Sequence, residues 1–186
     1  MTRLDVDQDL ILRMSRPGPR YTSYPTAPEW RDDFGDAEGR AALARAAARA
    51  DEPLSLYVHL PFCEQLCLFC GCTVEITRNA ERVERYLETL ELEIARVAEL
   101  LGARRKAAQL HLGGGTPTHL SPEQLVRLQS AITKHFTFLP DAELSIEVHP
   151  RVTTAAHVDA LAGLGFRRIS LGVQDLDPTV QAVVRR

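Results

Sequence analysis

From residue 53 onward the chain alternates short apolar strands with amphipathic helices, and that alternation leaves few folds open. LSLYVHL (54–60) reads as a strand closed by Pro61. Residues 79–101 carry Val83, Tyr86, Leu87, Leu90, Ile94, Val97 and Leu101 at three- and four-residue steps, which predicts a long helix with one buried face, and Gly102 suits its end. AAQLHL (107–112) reads as a second strand, AELSIEV (142–148) as a third and RRISLGV (167–173) as a fourth. Between them, Ser121-Pro122-Glu123-Gln124 is a helix start, with Leu125, Leu128 and Ile132 facing inward. Thr154–Leu164 reads as a short helix, and Asp177-Pro178 opens another. Strands separated by helices of this length predict βαβ units and a parallel sheet, whose chemistry gathers at the carboxyl ends of the strands.

The unusual residues obey that rule. A cysteine-rich loop follows the first strand, Gly113-Gly114-Gly115 the second and Gln174 the fourth, while Glu147 ends the third. All four sets are expected on one rim. Residues 1–52 stand apart: RPGPRYTSYPTAPEW (16–30) cannot be a continuous helix through Pro17, Pro19, Pro25 and Pro28, and an Ala/Arg-rich helix is expected around 36–50 with a solvated Arg face. The expected division is therefore an arm and helix over 1–52 and a βα module over 53–186.

Composition narrows the class. With 186 residues, 45% apolar and 25% charged, the chain has the makeup of one folded domain with an extension. No apolar run approaches the roughly 18 residues of a membrane span. MTRLDVDQDL lacks the features of a secretory signal or transit peptide. A net charge of −3 and a pI near 6.1 argue against a general nucleic-acid binder.

All four cysteines, Cys63, Cys67, Cys70 and Cys72, fall within ten residues. Such a cluster cannot staple distant segments as secreted disulfides do, and it suits a soft metal centre in a reducing compartment, by default the cytoplasm. A structural zinc site usually takes two separated ligand pairs, and Cys70-Gly71-Cys72 is cramped for one ion. An iron–sulfur cubane is wider; three thiolates would hold three irons and leave the fourth open. The six histidines show no metal-ligand spacing and none is assigned to a metal. Taken singly, Gly113–Gly115 is most simply a turn, Glu147 a surface carboxylate and Tyr57 a strand core residue. Tyr21 and Tyr24 either touch a substrate or pin the arm.

CEQLCLFC matches the CxxxCxxC signature of radical S-adenosylmethionine enzymes, with Phe69 before the third cysteine also fitting. PGPRYTSYPTAPEW, YVHLPFCEQLCLFCGC, QLHLGGGTPTHL, LSIEVHPR and RISLGVQD more closely resemble the oxygen-independent coproporphyrinogen III oxidases (coproporphyrinogen dehydrogenases). Cys72 and the proline-tyrosine arm favour that branch over its haem-chaperone relatives, which leave a haem-binding or haem-trafficking role as the alternative.

The resemblance implies a partial TIM-like barrel of parallel strands, here about four βα units, in a chain shorter than the family's and so a fragment of a longer protein with doubtful activity by itself. It implies a [4Fe–4S] cluster on Cys63, Cys67 and Cys70, its open iron chelating S-adenosylmethionine, and two molecules of that cofactor: Tyr57, Gly114 and Glu147 toward the first, Phe69, Gly115, Thr116, Gln174 and Arg186 toward the second. A 5′-deoxyadenosyl radical would take hydrogen from the propionates of coproporphyrinogen III, two of which become vinyls, giving protoporphyrinogen IX for haem biosynthesis. It further implies a monomer, a reductant such as flavodoxin or ferredoxin, and no nucleic-acid or membrane partner. Cys72 stays open between a spare thiol, an aid to cluster reassembly and a packing residue.

Overall fold

The computed structural model describes residues 7–15, 29, 31–68 and 70–185. Most of the proline-rich arm, with Tyr21 and Tyr24, lies outside them, as do Phe69 and Arg186. The chain divides into two compact units, Met1–Glu38 and Gly39–Arg186. The first holds a helix that the sequence pattern did not announce, α1 (Gln8–Met14), whose N-cap Asp7 accepts from the backbone of Asp9 and Leu10. The division falls inside the Ala/Arg-rich helix α2 (Asp36–Ala47).

The second unit is built on β1 (Leu54–Leu60), β4 (Lys106–Gly114), β5 (Thr137–Val148) and β6 (Arg168–Leu171), which lie in that order and are parallel throughout. Between β1 and β4 the chain forms β2 (Phe62–Cys63), β3 (Glu75–Ile76) and the long helix α3 (Ala80–Leu101). A 3-10 turn (Pro117–His119) and α4 (Pro122–Thr133) join β4 to β5, α5 (Ala155–Gly163) joins β5 to β6, and α6 (Pro178–Val183) follows β6.

The expected helix ends are present. Asn79 caps α3 through the backbone of Glu81 and Arg82, and Gly102 takes the positive φ of 58° after it. Ser121 and Gln124 form a reciprocal capping box on α4, with Pro122 in its first turn. Thr154 and His157 do the same on α5.

Three strand bounds differ from expectation. β4 runs on through Gly113 and Gly114, because both still pair with His59 and Leu60 of β1. β5 starts five residues early, in two pieces: Lys106 and Ala107 pair with Thr137 and Phe138, then the register jumps so that Gln109 pairs with Glu143. Pro140, which has no N–H to give a ladder, sits in the excursion between them. β6 is shorter than its apolar run, and its Ile169 and Leu171 are exposed.

One face of the sheet is packed. Val58 and Leu60, Leu110 and Leu112, and Leu144, Ile146 and Val148 join Val83, Leu87, Leu90 and Ile94 of α3 and Leu125, Leu128 and Ile132 of α4 in a single core. Arg104, whose side chain is 8% exposed, donates to the carbonyls of Ala46, Glu52 and Pro53, so the segment entering β1 is tied to the turn after α3. The alternate residues point the other way and are polar: Ser55, Tyr57 and His59; Gln109 and His111; Glu143, Ser145 and Glu147.

Candidate cofactor site

The carboxyl ends of β1, β4, β5 and β6 come out on one edge, as parallel register requires, and the cysteine loop, the triple glycine and Glu147 meet there. The β2–β3 pair closes the cysteine loop at its base, with Phe62 beside Glu75 and Cys63 beside Ile76. That pair was not legible in the sequence: two residues carry no periodicity.

The glycines hold this edge together by what they lack. Gly115 donates its N–H to Leu60 O at 2.9 Å, and Thr116 donates to Phe62 O at 2.8 Å. A Cβ at Gly115 would stand 2.6 Å from Pro61 O, so only glycine permits the approach. Gly114 takes φ 119°, and a Cβ there would run into the His59 ring at 2.7 Å.

All four cysteines are thiols, with Cys63 and Cys67 partly covered and Cys70 and Cys72 exposed. They touch different elements. Cys63 Sγ is 3.4 Å from Thr116 Oγ1, Cys67 Sγ donates to Val184 O after α6 at 3.5 Å, and the Cys72 N–H donates to Cys70 Sγ at 3.4 Å. Leu68 N also donates to Val184 O, so the residue after α6 meets the loop. The Cys72 thiol is pushed up by burial first and then by the charges of Cys70, Glu147 and Cys63. Among the described residues, no three His, Cys, Asp or Glu side chains stand close enough to hold one metal ion. Thiols are soft ligands, and three on one loop are the donor set that an iron–sulfur cluster takes.

Beside the loop, the polar face of the sheet forms a connected network. Tyr57 stacks on His111, with ring centroids 5.9 Å apart and planes within 18°. His59 Nε2 donates to Thr73 O at 2.9 Å, because a carbonyl only accepts, and its Nδ1 lies 3.0 Å from the Tyr57 hydroxyl. His59 thereby ties the returning limb of the cysteine loop to β1. Burial, then the charges of Glu147 and Cys72, hold the Tyr57 phenol above its usual range and keep it protonated. Glu147 accepts from Gly114 N at 3.1 Å on one oxygen and faces His111 Nε2 at 3.4 Å with the other.

Of the site residues expected from sequence, the structure thus joins Tyr57, Gly114 and Glu147 in one network, and Cys63 with Thr116. Gln174 stands exposed beyond β6 at φ 69°, a backbone position uncommon for a side chain larger than glycine. His59, His111 and Ser145 are not among the expected site residues: the histidines show no metal-ligand spacing, and Ser145 sits unmarked within the third strand. The signal that could have found them is the strict polar alternation of β1, β4 and β5, in strands of a kind that usually read as continuous apolar runs.

The model of the radical SAM superfamily matches residues 57–186, and the chain belongs to that superfamily. It is 48% identical over 184 residues to the oxygen-independent coproporphyrinogen III oxidase of Salmonella typhimurium, covering 99% of this chain and 39% of that protein. The protein of the same name from Helicobacter pylori strain J99 is 42% identical over 97% of the chain. Among solved structures, coproporphyrinogen III oxidase from Escherichia coli, described as a radical SAM enzyme, superposes with a TM-score of 0.80 at 45% identity, over all of this chain and 40% of that one. The chain therefore spans about two fifths of the length of the curated relatives it matches, and its four-stranded parallel sheet is part of a radical SAM barrel.

Proposed function

We propose that the chain supplies the amino-terminal part of an oxygen-independent coproporphyrinogen III oxidase, acting in the reducing cytoplasm on coproporphyrinogen III. The parent protein would convert two propionates to vinyls, each losing carbon dioxide, one hydrogen atom and one electron. One observation carries this reading beyond the superfamily: the likeness extends over 99% of the chain, which takes in the proline-tyrosine arm, and is not confined to residues 57–186. In this reading 53–186 is the first part of the barrel and 1–52 an arm with its helix, the remaining barrel units lying in the rest of the parent protein.

Cys63, Cys67 and Cys70 would bind a [4Fe–4S] cluster, and the rim would bind two molecules of S-adenosylmethionine. When bound, this pair of cofactors supplies one-electron cleavage and a hydrogen-abstracting radical. The protein's residues bind and orient. Tyr57 offers an aromatic face and Gly114 an open backbone to the first molecule, and Glu147 accepts hydrogen bonds from its hydroxyls, as carboxylates at strand ends do for riboses. Phe69, Gly115, Thr116, Gln174 and Arg186 serve the second, Arg186 being suited to a carboxylate. A flavodoxin or ferredoxin would be the reductant, and the protein would act as a monomer.

Anaerobic reconstitution followed by iron, sulfide and zinc counts and EPR tests the cofactor reading. About four irons per chain are expected, with a reduced spectrum altered by S-adenosylmethionine, and C63S should lose the iron. Zinc without iron would overturn it. The substrate reading falls if the parent-length protein forms no vinyl product from coproporphyrinogen III under reducing, oxygen-free conditions.

A further inference from the structure

The polar face of the sheet holds a histidine that the proposed function leaves without a task. His111 lies mid-strand on β4, its side chain 32% exposed, and is fixed on three sides. Its Nδ1 is 2.7 Å from Ser145 Oγ, on the neighbouring residue of β5. Its ring lies against Tyr57. Above it Gly113 has no side chain, and a Cβ there would stand 3.0 Å from His111 Nε2 and 3.1 Å from the Tyr57 ring. The remaining atom, Nε2, is aimed at Glu147 Oε1 at 3.4 Å.

We propose that His111 is a positioning residue: anchored through Nδ1 on Ser145, its ring presents an N–H to Glu147 and so fixes the carboxylate that receives the first S-adenosylmethionine. This rests on the reading of Glu147 given above.

The hydrogen-bond inventory supports the assignment. A carboxylate at Glu147 has no hydrogen to give, so a bare Nε2 would set two lone pairs against each other. With the hydrogen on Nε2, the neutral ring carries its lone pair on Nδ1, where the Ser145 hydroxyl donates across the short 2.7 Å contact. The other acceptor within reach of that hydroxyl, Leu110 O, is farther, at 3.3 Å. Glu147 is then held on both oxygens, by Gly114 N–H and His111 N–H, which leaves its outer lone pairs at fixed angles. A carboxylate so held spends less entropy on receiving a ligand.

Two variants separate this role from simple packing. H111F keeps an aromatic ring against Tyr57 and removes the donor; H111Q keeps an N–H at similar reach and removes the ring. Equilibrium dialysis of S-adenosylmethionine against the reconstituted chain should show H111F about tenfold weaker and H111Q nearly unchanged. The reverse order would overturn the proposal and make His111 a packing residue. E147Q is the reference. If E147Q itself binds normally, the reading of Glu147 falls; if E147Q weakens binding and H111F does not, the positioning role falls alone. Nitrogen-15 NMR of the His111 ring in the unsubstituted chain gives a readout independent of the ligand and of whether H111F folds. The hydrogen is expected on Nε2. A ring with its hydrogen on Nδ1 in the unsubstituted chain would overturn the proposal.

Discussion

The two faces of the sheet are made by the same four strands and obey opposite rules. On one, Leu60, Leu110 and Ile146 are fully buried beneath α3 and α4, and any apolar side chain of the right volume could in principle serve. On the other, directed contacts of 2.7–3.4 Å join Tyr57 to His59 and His111 to Ser145 and Glu147, the stacking of Tyr57 on His111 connects the two sets, and each residue depends on what its neighbour presents. The difference teaches where stability and chemistry reside. The covered face gains free energy from area removed from water, whereas the polar face gains little and holds geometry.

Substitutions across the two faces should break that symmetry. The largest loss of stability is expected from Leu110→Ala, which empties a fully buried position between the sheet and its helices; denaturant unfolding should show a loss of about 2–5 kcal/mol. Gly115→Ala comes next, since the added methyl meets the carbonyls of Pro61 and Phe62 at under 3 Å. The free energy of unfolding should fall by about 1–3 kcal/mol, and the added methyl should also push the glycine strand off the cysteine loop, so the variant should retain less iron after reconstitution. Tyr57→Phe removes one hydroxyl contact at the polar face and should cost only about 0.5–1.5 kcal/mol; a cost like that of Leu110→Ala would mean that the polar network carries the fold.

The smallest effect belongs to neither face. Arg127 on α4 donates to Glu84 and Glu91 on α3, and the guanidinium holds the Glu84 carboxyl below its ordinary 4.5. A carboxyl depressed in the folded state stabilises above its unfolded pKa and loses that contribution as pH falls through the folded value. The stability of the native chain should therefore decline as pH is lowered from 5 toward 3, and Arg127→Met should flatten that slope: its loss of stability is present at neutral pH, small because the pair is partly solvated, and vanishes toward pH 3. Thermal melts across this range would decide it; parallel slopes in the two proteins would remove Arg127 from the account.

Much of this architecture was legible in the residues. The four strands, the three connecting helices and the capping residue Ser121 are where local chemistry put them, because caps and periodicities are decided within one turn or one strand. The rim was legible too, since a parallel sheet sends every strand's carboxyl end to the same edge. The divided start of β5, the β2–β3 pair at the base of the cysteine loop and helix α1 were not. Each depends on a partner strand or on a capping contact too short to leave a periodic signal. His111 was passed over for a related reason: a histidine between two leucines looks the same in sequence whether its ring meets solvent or a serine and a glutamate from the next strand.

The sequence by itself determined that the chain would alternate strand and helix and that its thiols would crowd one loop, because those properties follow from residue spacing and from the reach of neighbouring side chains. Only the tertiary structure decided which atoms face one another across strands. The pairing of His111 with Ser145, the approach of Gly115 to Pro61 and the two-sided hold on Glu147 join residues 33–54 positions apart in the chain. Contacts at that separation are set by register, and register is fixed only when the apolar face of every strand is buried at once.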